Sequence, residues 1–152
     1  IRIRQIVNVS VSRSPAQPVK KHDLRYLFAI DLDRSKNCYI ANIVKCRPPH
    51  NRDPLPTESE ACMPWLREQF KLLQPKIVVC LGRIASQRMI RTDFSVTKEH
   101  GQLYEKGGIL FMGTFHPAAL LRSPQNKPAA FADFTALRDN IETVCKHTYH
   151  KD

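Results

Sequence analysis

Short apolar runs alternate along the chain with longer stretches in which apolar residues recur every three or four positions, which predicts strands and helices in alternation. Asn37 to Val44, Lys76 to Leu81 and the run from Ile109 towards Thr114 read as strands, whereas Leu24 to Leu32 fits a strand or a helix. Thr57-Glu58-Ser59-Glu60 has the spacing of a capping box. The Thr57 hydroxyl can accept from the Glu60 amide while the Glu60 carboxylate accepts from the Thr57 amide, so a helix is expected to start there. Cys62, Trp65, Leu66, Phe70 and Leu73 give that helix an apolar face, and Pro75 ends it. Gly82 turns the next strand into a helix over Arg83 to Ile90, Gly107-Gly108 precedes the last strand, and Ser123 to Pro128 reads as a loop. Phe131 to Cys145 carries Phe134, Leu137 and Ile141 on one face of a final helix. The alternation predicts an α/β domain with a mainly parallel sheet. It is expected over residues 30–145, between an atypical basic segment, residues 1–29, read as loop or disorder, and a frayed tail, residues 146–152.

One such domain accounts for the length, since 152 residues with 42% hydrophobic content can bury a real core. Charge changes the picture more. The formal net charge is +10, and Ile1 to Ile30 hold six Lys or Arg against Asp23 alone. A basic surface supplies sequence-independent affinity for phosphates, so a polyanion is the expected partner, although a solvated basic face has the same composition. The longest apolar runs are too short to span a bilayer, and the start shows no apolar core of signal-peptide length. Neither a membrane segment nor an export signal is visible. Five cysteines, an odd number without close pairing, fit a reducing compartment, and a cytoplasmic setting is expected.

Candidate chemistry collects at two places. Asn42 ends an apolar run and leads through Lys45, Cys46, Arg47, Pro48, Pro49 and His50 to Arg52, a stiff basic loop, with Cys62 sixteen positions beyond Cys46. Thr114-Phe115-His116-Pro117 ends another apolar run. Parallel strands bring their carboxyl ends to one edge, so Asn42 and His116 are expected at the same rim, where open α/β sheets bind ligands. Pro117 suits the first position of a helix, and a helix amino terminus beside His116 favours a neutral imidazole.

Three motifs in order carry a resemblance: N-I-V-K-C-R-P-P-x-N-R with its later cysteine, K-I-V-V-C-L-G-R-x-A from Lys76 to Ala85, and H-P-A-A-L-L-R from His116 to Arg122. The segment from about Tyr39 to Arg138 closely resembles the family 4 uracil-DNA glycosylases, the iron-sulfur members of the uracil glycosylase superfamily. That resemblance implies a three-layer αβα fold around a central, mainly parallel four-stranded sheet with an incomplete amino-terminal part. It also implies a monomeric DNA repair enzyme that acts on uracil-containing DNA, hydrolysing the N-glycosidic bond of a flipped-out uracil in base excision repair. His116 matches the family's histidine, which donates to the uracil carbonyl oxygen as negative charge develops there. Asn42 matches the base-reading residue, whose carboxamide offers a donor and an acceptor to the O4 and N3–H edge and is mismatched by cytosine.

Cys46 and Cys62 match the second pair of ligands of a four-cysteine [4Fe-4S] site. The first pair has no counterpart, and Cys38, Cys80 and Cys145 do not sit at matching positions, so the cluster is expected to be absent or incomplete. A zinc site from Cys46, Cys62 and His50 has no recognised spacing. Leu120 and Leu121 match a loop that wedges into the duplex, and Arg122, Lys127, Arg47 and Arg52 are expected at phosphates. At the front the match fails. The family opens with a C-x-x-C pair, a G-E-A-P-G-type loop with an acidic residue, and a P-F-V-G-x-A-G segment whose aromatic stacks on the base; residues 1–29 contain none of these. Truncation plus an altered or out-of-frame stretch upstream of Ile30 is the expected origin. The competing reading is a catalytically impaired, nucleic-acid-binding remnant of the family.

Overall fold

The computed structural model describes residues 6–10, 32, 38–45 and 48–145. Five strands, β1 (Ile6–Ser10), β2 (Cys38–Asn42), β3 (Ile77–Leu81), β4 (Leu103–Lys106) and β5 (Ile109–Thr114), form one sheet in the order β2-β1-β3-β5-β4. The first four in that order are parallel to one another, and β4 runs antiparallel to β5 through a hairpin turned at Gly107 and Gly108. The expected four-stranded parallel sheet is therefore present, with an antiparallel edge strand added. Ile6–Ser10 corrects the reading of residues 1–29 as loop throughout, because it occupies a central position in the sheet. Ile6, Val7 and Val9 are β-branched and suit a strand, but five residues flanked by Arg2, Arg4 and Arg13 look polar overall. The remainder of that segment, most of Leu24 to Leu32, and the tail at residues 146–152 lie outside the described residues; Leu32 itself is buried.

Side chains of β3 alternate between two cores, as a period-2 strand covered on both faces requires. Ile77 and Val79 join Met112 and the Phe134, Leu137 and Ile141 face of α5 (Lys127–Val144). Val78 and Cys80 join Ile43, Phe94 and Phe111 with Cys62 and Leu66 of α1 (Pro56–Leu73) and Ala85 of α2 (Arg83–Met89). Helices thus lie on both sides of the sheet. A short α3 (Val96–Glu99) precedes β4, and α4 (Pro117–Arg122) follows β5.

Two expectations for α1 shift. Trp65, expected on its buried face, is 68% exposed. At 3.6 residues per turn it stands roughly 100° from the centre of the stripe formed by Ser59, Cys62, Leu66, Phe70 and Leu73. The cap also forms earlier than Thr57, because Pro56 takes the first helical position. The Leu55 N–H donates to Glu58 Oε2 at 2.8 Å, and Arg52 forks onto the same carboxylate at 2.9 and 2.7 Å.

Those bonds, first from Arg52 and then from Leu55, lower the Glu58 pKa from the ordinary 4.5 to about 2. A carboxylate whose folded pKa is depressed contributes stability above its unfolded pKa and loses it as pH falls through the folded one. The Glu58 contribution is therefore present above 4.5 and declines towards 2. Thermal midpoints measured across that window should fall less steeply for Glu58→Gln than for the wild type; parallel curves would show that the cap is not the group titrating.

Candidate active site

Register places the strand ends in one row. Ser10 pairs with Asn42 on one side and Leu81 on the other, and Leu81 pairs with Thr114. Three inter-strand spacings put the Asn42 and Thr114 backbones about 14 Å apart on the same carboxyl edge. Two inward-reaching side chains and a planar ligand can close that gap in the crevice beyond the strand ends.

Asn42 is half-buried at the end of β2, and its backbone is braced from below. Its carbonyl accepts from Lys45 Nζ at 2.8 Å, the same ammonium donates to Gln69 Oε1 at 2.9 Å, and Gln69 Nε2 donates to the Tyr39 hydroxyl at 3.1 Å. Burial lowers the Lys45 pKa below the ordinary lysine value, with Cys62 acting in the opposite direction. The chain after β2 is thereby tied to α1. The sequence marks neither Lys45 nor Gln69 as a brace of the site, since nothing local signals a bond between residues 24 positions apart.

His116 arrives from β5 and caps α4. Pro117 holds the first helical position, and His116 Nδ1 accepts from the Ala118 N–H at 3.1 Å. A ring nitrogen that accepts carries no proton, so the neutral imidazole with this bond bears its proton on Nε2. The ring is then a donor at the atom away from the helix. Gly82, which follows β3, packs directly against it. Its φ is +89°, and a Cβ there would lie 2.9 Å from His116 Cβ. The Gly82 N–H donates to the Thr114 carbonyl at 2.8 Å, which joins the ends of β3 and β5. Sequence marks Gly82 as a turn; its contact with His116 depends on β3 lying beside β5.

The sequence model of the Uracil DNA glycosylase superfamily matches residues 8–137. The chain belongs to that superfamily. The match begins inside β1, upstream of the boundary expected at Ile30. The chain is 37% identical over 118 residues to the Type-4 uracil-DNA glycosylase of Sulfurisphaera tokodaii, a match covering 72% of this chain and 54% of that protein. It is 38% identical over 109 residues to the Type-4 uracil-DNA glycosylase of Archaeoglobus fulgidus, covering 66% and 55%. With the Type-4 enzyme of Thermotoga maritima the identity is 40% over 96 residues, covering 62% and 50%. The chain spans about half the length of the curated relatives it matches.

Around this uracil-DNA glycosylase-like edge, the expected DNA contacts divide. Leu121 is 65% exposed, but Leu120 is 1% exposed and packs with Phe115 and Ala130, so it is a core residue and not a wedge. One residue is 100° of helix, which is enough to reverse the two roles. Arg122 and Lys127 are exposed on either side of the 3-10 turn Pro124–Asn126. Arg52, also exposed, forks onto Glu58 at the α1 cap. Arg47 and Cys46 lie outside the described residues.

Cys62 is buried and accepts from the Lys45 N–H at 3.4 Å. Cys80 lies in the same core, whereas Cys38 and Cys145 lie in the core on the other face of the sheet. Burial pushes the Cys80 thiol far above its ordinary pKa, which disfavours the thiolate a metal needs. Among the described residues no group of three or more His, Cys, Asp or Glu could hold a metal ion. The described cysteines, divided between the two faces of the sheet, do not by themselves supply a four-cysteine cluster. No described helix is long and apolar enough to cross a membrane.

Proposed function

We propose that this chain reads a uracil flipped out of DNA and promotes cleavage of its N-glycosidic bond, as a type-4 uracil-DNA glycosylase. The observation that carries the reading is the shared carboxyl edge, with Asn42 and His116 at the ends of parallel strands and His116 Nδ1 committed to Ala118. In this reading the Asn42 amide N–H donates to uracil O4 and its oxygen accepts from N3–H. Cytosine would turn an amine towards a donor and leave buried polar groups unpaired, which is the basis of strong rejection. His116 Nε2–H donates to the carbonyl oxygen that gains charge as the C1′–N1 electron pair moves into the base. Water then attacks C1′, and the proton it loses passes through solvent to the departing uracil anion, which leaves as the neutral base. A donor already fixed in a partly desolvated site stabilises that charge more than water does. Leu121 would enter the space near the flipped nucleotide, and Arg122, Lys127 and Arg47 would contact phosphates.

The test is release of free uracil from a uracil-containing oligonucleotide by the purified chain, beside an Asn42→Ala, His116→Ala double variant. Release that the double variant loses supports the assignment. Salt-dependent DNA binding without release above the variant would replace it with the non-catalytic, nucleic-acid-binding reading.

A further inference from the structure

One carboxylate sits under the strand end that carries His116, and the proposed reaction does not account for it. Asp133 projects from α5 into the interior and is 5% exposed. Burying an ionised carboxylate is unfavourable by several kcal/mol unless it is paired and hydrogen-bonded, and an apolar residue of similar size would serve a core as well or better. Both oxygens of Asp133 have hydrogen-bond partners. Thr114, fully buried as the last residue of β5, donates its hydroxyl to Asp133 Oδ2 at 2.6 Å. His100 Nδ1 meets the two carboxylate oxygens at 2.9 and 3.0 Å. The His100 ring packs in turn on the ring of Phe115, with centroids 4.9 Å apart. The two residues immediately before His116 are thus held, one directly and one through an imidazole, by a single buried group.

We propose that Asp133 is a positioning residue for His116. Acting through Thr114 and His100, it fixes the Thr114–Phe115 segment so that the imidazole keeps its place at the site. The proposal rests on the reading of His116 as the donor to the leaving base. Among the described residues the backbone of Thr114 is also held by its pairing with Leu81 and by the Gly82 N–H. Those bonds fix the backbone of the strand end, and within the packed interior the Asp133 carboxylate fixes the Thr114 hydroxyl and, through His100, engages the ring of Phe115. Catalysis is sensitive to placement on this scale, since an error of about 1 Å can change a rate by ~100-fold.

Thr114→Val keeps the β-branched shape and deletes the hydroxyl. It should slow single-turnover uracil release by about 10-fold or more at unchanged DNA affinity. Added to His116→Ala it should produce no further slowing, because a positioning residue has nothing left to position. Asp133→Asn, which can still accept from Thr114, should retain more of the rate than Asp133→Ala and provides the comparison should Thr114→Val fail to fold. The imidazole nitrogen resonances of His116 supply a readout independent of turnover, and both Thr114→Val and Asp133→Asn should move them. If the wild type releases no uracil, the proposed function fails while these resonances still test the positioning. His116 signals unchanged in the folded variants, or equal slowing by Thr114→Val with and without His116, would overturn the proposal.

Discussion

His116→Ala is expected to slow single-turnover uracil release by about 10²–10³-fold, the loss of roughly 2.7–4 kcal/mol of transition-state stabilisation that removal of one preorganised oxyanion donor produces. The same substitution removes the cap of α4, because Nδ1 accepts from the Ala118 N–H. Loss of a cap costs about 1 kcal/mol, or ~2–4 °C in midpoint for a chain of this size. The two effects can be separated. Asparagine is among the best residues at a helix cap, so His116→Asn should restore the midpoint while leaving release as slow as in His116→Ala, since the shorter amide cannot present a donor where Nε2 stood. Recovery of release along with the midpoint would mean that His116 acts by shaping α4, and the donor role would have to pass to another group.

The elements legible in the sequence were those whose signal is local. Lys76 to Leu81 reads as a buried parallel strand because both of its faces are covered and no polar residue interrupts it. Pro117 after His116 announced the start of α4, because proline at the first helical position depends on nothing distant. What stayed hidden was set by neighbours far along the chain or by one-residue phase. β1 is as long as β3 but carries Asn8 and Ser10 among its apolar residues and has basic flanks, and it is a strand because β2 and β3 flank it. Leu120 and Leu121 are alike in type, and only the packing of α4 on Phe115 and Ala130 tells which one faces inward. Asp133 sits on α5 beside the expected apolar residues, while its partners Thr114 and His100 are 19 and 33 positions away. The residues that could touch a base were therefore readable, and those that hold them in place were not.

Gly82→Ala should damage the site without altering any group that touches a ligand. The φ of +89° and ψ of 174° belong to a region that glycine alone occupies readily, and forcing an L-residue into it costs on the order of 1–3 kcal/mol. The added methyl would also stand 2.9 Å from His116 Cβ, which the backbone anchors and which cannot swing aside like a side-chain tip. Gly82 itself cannot retreat freely. Its N–H is bonded to Thr114 and its carbonyl accepts from the Ser86 N–H and hydroxyl, so the strain falls on the His116 turn. A displacement of about 1 Å there corresponds to ~100-fold in release rate. Gly107→Ala is the control for strain without contact: its φ is +58°, it lies in the β4–β5 hairpin, and a Cβ there meets nothing within 4 Å. Gly107→Ala should lower the thermal midpoint and leave the release rate of the folded protein unchanged, whereas Gly82→Ala should lower both. Equal rates in the two variants would show that the close approach of β3 to His116 does not set the geometry of the donor.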